Sequence, residues 1–313
     1  MANKAALLEY NMEITAKMVK DLREKTNSGM MDCKKALSEC GGDLEKSVDW
    51  LRQKGLMTAR KRAGRATREG LIVAGVSADQ RRGALIELNC ETDFVAKNES
   101  FQKLAAAIAA ELLADPAPAD VQAFLERPFS AGGTVEEAIQ SLVGTIGENM
   151  NLRRFVSREA PAGAFIHTYI HGPGRLGVMV ELAAEKMGHA AEELAHNLAM
   201  HIAAANPAAR TAEEIPADLL EREKEIFRAR LAGSGKPENM WDKIMVGQIK
   251  KFYSEVVLLE QAYVKDPTGK TTVADLLENS TDACGLTEIR AYDRFQLGEE
   301  LPGEARPEEA GGN

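Results

Sequence analysis

The chain has 313 residues, a net charge of -9, 44% hydrophobic and 28% charged residues. That length exceeds what one core sustains, roughly 250 to 300 residues, so two or three domains are expected, and the acidic balance argues against DNA or RNA as the main partner, because phosphate binding draws on cationic surface. No apolar run approaches the roughly 18 residues of a membrane span, "MANKAALLEYN" lacks the flank and apolar region of a signal peptide, and Cys33, Cys40, Cys90 and Cys284 form no C-x-x-C pair. A cytoplasmic protein with no membrane association, no zinc site and no cofactor is expected.

The charge is uneven: residues 1–70 carry 15 Lys+Arg against 10 Asp+Glu, leaving 24 against 38 for the rest. Three short helices are predicted in that basic front. Met18, Val19 and Leu22 recur at helical spacing after a Thr15 cap; "MDCKKALSEC" stops at Gly41 and Gly42; Asp43 caps a third helix whose Leu44, Val48 and Leu51 share a face. The basic run "ARKRAGRATREG" follows, with no aromatic for base stacking, and reads as a solvated linker.

Beyond it the period changes to about 2, and "GLIVAGVS", a turn and "ALIELN" form a predicted hairpin. Phe101, Leu104, Ala105, Ile108, Ala109 and Leu112 then trace a helical stripe capped by Asn98. A further helix, "TVEEAIQSLVGTIGENM", leads to strands "NLRRFVSREA", "AFIHTYIH" and "LGVMVELAA", the last two joined by "GPGR". An Ala-rich helix ends at Pro207. Leu219 to Leu231 and Trp241 to Phe252 make two helices with a short connection, hence antiparallel neighbours. The resulting division is a three-helix domain at 1–56, a basic linker at 57–70, a first core subdomain at 71–150, a second at 151–265 containing a helical hairpin at 208–257, a C-terminal module at 266–298 and an acidic disordered tail at 299–313.

Several motifs mislead. "GPGRLG" satisfies G-x-G-x-x-G, but a strand follows it where a dinucleotide site needs a helix. "GSGKP" and "PTGKTT" have Arg230 and Val264 where a phosphate loop needs its leading Gly. His167 and His171 are four apart in a strand, about 13 Å, too far for one metal. No nucleophile and base share a local signature, so no enzyme is expected.

The stretch "LNCETDFVAKNESFQ" sets Asp93 beside Phe94 between a strand and a helix. Two readings stay open from the residues alone: Thr92 or Asp93 caps a short helix and Phe94 turns inward as a staple, or a carboxylate and an aromatic project into a partner's pocket.

"LNCETDFVAKN" and "LREKTNSGMMDCKKAL" together resemble the two signature stretches of the elongation factor Ts family, the bacterial-type guanine nucleotide exchange factors for elongation factor Tu. "IGENMNLRR", "YIHGPGRLGV", "LAMHIAAANP" and "SGKPENMWDKIMVGQIKKF" are similar to further family segments in the same order, from Ile14 to about Leu297. The resemblance implies an α+β fold: a three-helix, ubiquitin-associated-like N-terminal domain, a core of two α+β subdomains with antiparallel sheets, a protruding antiparallel coiled coil that could support a homodimer, and a small C-terminal helical module. It implies that Thr92, Asp93, Phe94 and Val95 enter the partner GTPase beside its magnesium, and that Met30, Met31, Ile146, Gly147 and His171 make further contacts. An RNA-binding or peptide-binding translation-associated module is the alternative.

Overall fold

The computed structural model describes residues 14–26, 28–114, 117–184, 188–235 and 237–301. Most of the tail expected at 299–313, and the first thirteen residues of the N-terminal domain, lie outside the described residues. The described chain is α+β, with two three-stranded sheets. It divides into two compact units. One comprises the chain up to Gly70 with Leu88–Ala105 and Pro118–Arg153; the other comprises Leu71–Glu87, Ala106–Ala117 and the chain from Arg154 onward.

The first unit opens with α1 (Ala16–Thr26), α2 (Met30–Glu39) and α3 (Leu44–Arg62). Thr15 Oγ1 accepts from Met18 N–H at 3.3 Å and Asp43 from Lys46 N–H at 3.0 Å, each satisfying an N–H that the first helical turn leaves orphaned. Val19, Leu22, Cys33, Ala36, Leu37 and Leu51 make the core of the three helices. The third helix corrects the expected boundary at residue 56: it continues to Arg62, so the front of the basic run is helical. The run holds no glycine or proline until Gly64, and Ala59 is buried on its inner face. Later elements of this unit are α6 (Val121–Leu125) and α7 (Val135–Ile146), the latter begun by a Thr134–Glu137 capping box. Helix α3 crosses α7 so closely that a Cβ on Gly144 would stand 2.4 Å from Gly55 Cα, and Arg52 pairs with Glu137 at 2.5 Å.

Strands β1 (Glu69–Val76), β2 (Arg82–Cys90) and β3 (Met150–Glu159) form the first sheet in the order β1-β2-β3. Between β2 and β3 in the chain lie α4 (Asp93–Ala96) and α5 (Glu99–Ala114), the latter with Phe101, Ala105, Ile108, Ala109 and Leu112 buried as the stripe predicts. Asn98 caps it, accepting from Ser100 N–H at 2.9 Å.

The second unit contains β4 (Ala164–His171), β5 (Leu176–Ala184) and β6 (Leu286–Gln296), antiparallel in the order β4-β5-β6. His171 pairs with Leu176, so "GPGR" is a hairpin turn and not the start of a helix. Gly174, with φ of 78°, lets the turn press under Leu71 and Ile72, where its carbonyl accepts from Ile72 N–H at 2.7 Å. Helix α8 (His189–Ala205) buries Ala191, Leu194, Ala195, Leu198, Ala199 and Ile202 in a core with Val178, Val180 and Leu182 of β5. Its small residues bring helix and sheet close together. Asn206 ends it in the left-handed conformation, one residue before Pro207.

Helices α9 (Ala217–Ala232) and α10 (Trp241–Val256) share a core of Leu219, Leu220, Phe227, Met245, Phe252 and Val256. The C-terminal stretch departs from the expected helical module. After α11 (Val273–Cys284), residues from Leu286 pair along β5 and supply the third strand of the second sheet. Leu286 and Ile289 bury against the α8 face, which is why this segment is strand and core at once.

Candidate functional site

Helix α4 is a single turn, far shorter than an isolated helix can sustain in water. Its neighbours hold it. Thr92 caps it, Oγ1 facing Val95 N–H at 3.4 Å, while Val95 and Ala96 turn into the core. Phe94 is 79% exposed. The cap half of the local reading is therefore correct and the staple half is not: the aromatic ring faces solvent. Leaving a Phe side chain in water forgoes roughly 2 kcal/mol of burial. Val95, grouped with the contact residues by the family resemblance, is buried beneath the turn and serves as its anchor.

Asp93 occupies the first helical position, where a carboxylate suits the helix dipole. Lys97, four residues on, donates to it at 2.7 Å and holds its carboxyl below the usual range. Cys90, at the end of β2, donates to Thr92 O at 3.1 Å. Burial, with Glu148 adding to it, pushes its thiol up to about 12, so it is a packed thiol and no nucleophile at neutral pH.

The base of the turn is joined to the segment after α7 by two carboxylates. Glu148 accepts from Thr92 N–H at 3.0 Å and from Thr92 Oγ1 at 2.8 Å. In return Glu91 accepts from Asn149 N–H at 2.6 Å. Glu91 also meets Arg65 at 3.2 Å and Arg62 at 3.9 Å. The Asn149 N–H first, then the Arg65 guanidinium, keep its carboxyl below the usual range. The Asn149 side chain completes the arrangement, donating to Arg65 O at 2.8 Å and Ala63 O at 3.4 Å.

Thr92–Val95 and Ile146–Gly147 are thus brought together through Glu148. Gly147, with φ of 84°, is the C-terminal cap of α7, its N–H donating to Val143 O at 2.8 Å, so it has a structural task at a left-handed position. Met30 and Met31 are 60% and 76% exposed on the first turn of α2 in the same unit. His171 belongs to the second unit, where it is exposed at the end of β4 and its Nδ1 lies 2.7 Å from the Tyr169 hydroxyl. Sequence reasoning missed Glu91, Glu148 and Asn149. Their only signal was an acidic residue inside each of two segments already singled out, "CETDF" and "IGEN".

Arg62 and Arg65 are engaged with Glu91, which weakens the basic run as a nucleic-acid surface. His167 meets His196 of α8 at 3.3 Å instead of His171. Among the described residues no group of three or more His, Cys, Asp or Glu is arranged to hold a metal, and no helix is long and apolar enough to cross a membrane.

Residues 91–299 match the family model described as Elongation factor TS. The chain is 47% identical over 302 residues to Elongation factor Ts of Nitratidesulfovibrio vulgaris strain DP4, covering 95% of this chain and 100% of that one. It is 46% identical over 286 residues to Elongation factor Ts of Clostridium botulinum strain Alaska E43, with 91% and 93% covered. Against Elongation factor Ts of Trichlorobacter lovleyi it is 45% identical over 298 residues, with 93% and 94% covered. With more than half of its length matched by the family model and nearly all of it aligned to these relatives, the chain belongs to the elongation factor Ts family of translation elongation factors.

Proposed function

We propose that this protein is a guanine nucleotide exchange factor, and not itself an enzyme, that binds elongation factor Tu carrying GDP in the cytoplasm and speeds GDP release. The observation that supports it most is Phe94, a large aromatic held out in solvent at 79% exposure by a capped and clasped turn. An aromatic side chain fixed outward on a braced turn is the kind of anchor that a partner's pocket takes up.

GDP is held in a GTPase partly through magnesium and the phosphate loop. Phe94 entering between partner side chains would displace the elements that order the ion, with Thr92 and Asp93 shaping the approach and Val95 anchoring it from below. Met30, Met31, Ile146, Gly147 and His171 are the remaining contacts of this reading. Coupling is reciprocal, so a factor that weakens GDP binding is itself weakened by nucleotide, and incoming GTP releases it. The cycle has no chemical step.

A ubiquitin-associated-like role for α1 to α3 and a coiled coil at α9 and α10 able to pair two copies belong to the same proposal; a monomer mass in sedimentation at micromolar concentration would remove the dimer. The central test is stopped-flow release of a fluorescent GDP from elongation factor Tu. Wild-type protein should accelerate release saturably, and the Asp93→Ala/Phe94→Ala variant should lose most of that acceleration, about tenfold or more for each 1.4 kcal/mol of lost coupling. No acceleration by the wild type would sink the proposal.

A further inference from the structure

We infer that Glu91 and Glu148 are positioning residues for the Phe94 turn, an inference that rests on the exchange-factor reading above. A one-turn helix has no stiffness of its own, and the Asp93–Lys97 pair is solvent-exposed and local. What sets the direction of Phe94 is the base of the turn. There the two Glu148 oxygens take the Thr92 backbone N–H at 3.0 Å and its hydroxyl at 2.8 Å.

The geometry is reciprocal. Glu148 reaches from the segment after α7 to the backbone of Thr92, and Glu91, one residue before Thr92, reaches back to the backbone of Asn149 at 2.6 Å. Each carboxylate takes an N–H beside the other carboxylate, so neither segment can slide along the other without breaking both bonds. These are charge-assisted bonds, stronger than neutral ones. Glu91 carries a second duty: it ties Arg62 and Arg65, at and just past the end of α3, to the same point. A side chain meant to wedge into a partner must be held to within about 0.5 Å, and this clasp supplies the holding.

A positioning role separates from a contact role by measurement. The full-length protein carrying Glu148→Ala or Glu148→Gln is titrated against elongation factor Tu loaded with fluorescent GDP, with wild type and Phe94→Ala alongside. Hydrogen–deuterium exchange of the peptide spanning Cys90 to Lys97 is followed in each free protein. For Glu148→Ala the maximal release rate should fall about tenfold while the half-saturating concentration changes little, and exchange at Thr92 should quicken about tenfold or more. Glu148→Gln keeps one acceptor oxygen and should fall between; it also serves if the alanine variant loses cooperative unfolding. Glu91→Gln should quicken exchange at Asn149 in the same way, read from the peptide spanning Ile146 to Leu152.

Wild-type maximal rates in Glu148→Ala, where Phe94→Ala is defective, would overturn the positioning role. Unchanged exchange at Thr92 would do so as well. If wild-type protein itself fails to release GDP, the exchange-factor reading falls and the positioning role falls with it; the exchange at Thr92 then shows whether the clasp is nonetheless what holds the turn.

Discussion

A phenylalanine in water, a threonine that both caps and is clasped, and two glutamates that take each other's neighbouring N–H groups describe the candidate site residue by residue. The exposed ring is affordable only because Val95 and Ala96 are buried directly after it and Thr92 is bonded before it. The Glu91 carboxyl lies below its ordinary range in the folded state, so its stabilisation is present above the unfolded carboxylate range near pH 4.3 and is lost as pH falls through the lower folded value. Thermal melts should therefore separate wild type from Glu91→Gln at pH 7 and bring the two together toward pH 3. An equal gap at both pH values would contradict this account of Glu91. A cap at Thr92 or Asp93 was legible as one of two readings of the sequence, because capping acts locally, and the structure places it at Thr92. The clasp was not: its bonds join residues 56 and 58 positions apart, and no local period reports a pairing across that distance.

At the scale of elements, the strands and helices that follow a clear period are where the sequence placed them, as in the β4–β5 hairpin and the α5 stripe. Two elements differ for a tertiary reason. Helix α3 passes through a charged run that composition marks as linker, since its inner face meets α7 at Gly55. Strand β6 departs from the helical module that the resemblance implies, because β5 supplies it with an antiparallel partner. In the second unit, α8 is tied to the loop before α11 by a buried histidine. His201 Nδ1 accepts from Val264 N–H at 3.2 Å, so its proton is on Nε2, which lies 3.1 Å from Gln261 Oε1. Burial lowers its pKa, the Gln261 bond opposing this only in part, and burial with His196 lowers that of His167. Both take up a proton more readily when unfolded than when folded, so stability is full above about pH 6.5 and falls as pH drops below it. Melting temperature should decline from pH 7.5 to 5.5 in wild type and decline less in His201→Gln; the same slope in both proteins would show that His201 carries none of it.

For the molecule as a whole, the basic front offers less free cationic surface than its charge implies, because Arg62 and Arg65 are paired with Glu91. Family membership was legible in six ordered segments, and the comparisons with relatives carry it across nearly the full chain. What those segments do was less legible, because exposed residues and scaffolding residues share one motif: Phe94 is exposed while Val95 beside it is core, and Gly147 caps a helix within "IGEN". The central claim is that Phe94 acts on nucleotide release more than on association. Its most direct test is GDP release from elongation factor Tu at saturating Phe94→Ala protein, with complex formation confirmed by size exclusion. The complex should still form, with a maximal release rate well below wild type; a wild-type maximal rate at saturation would contradict this role of Phe94.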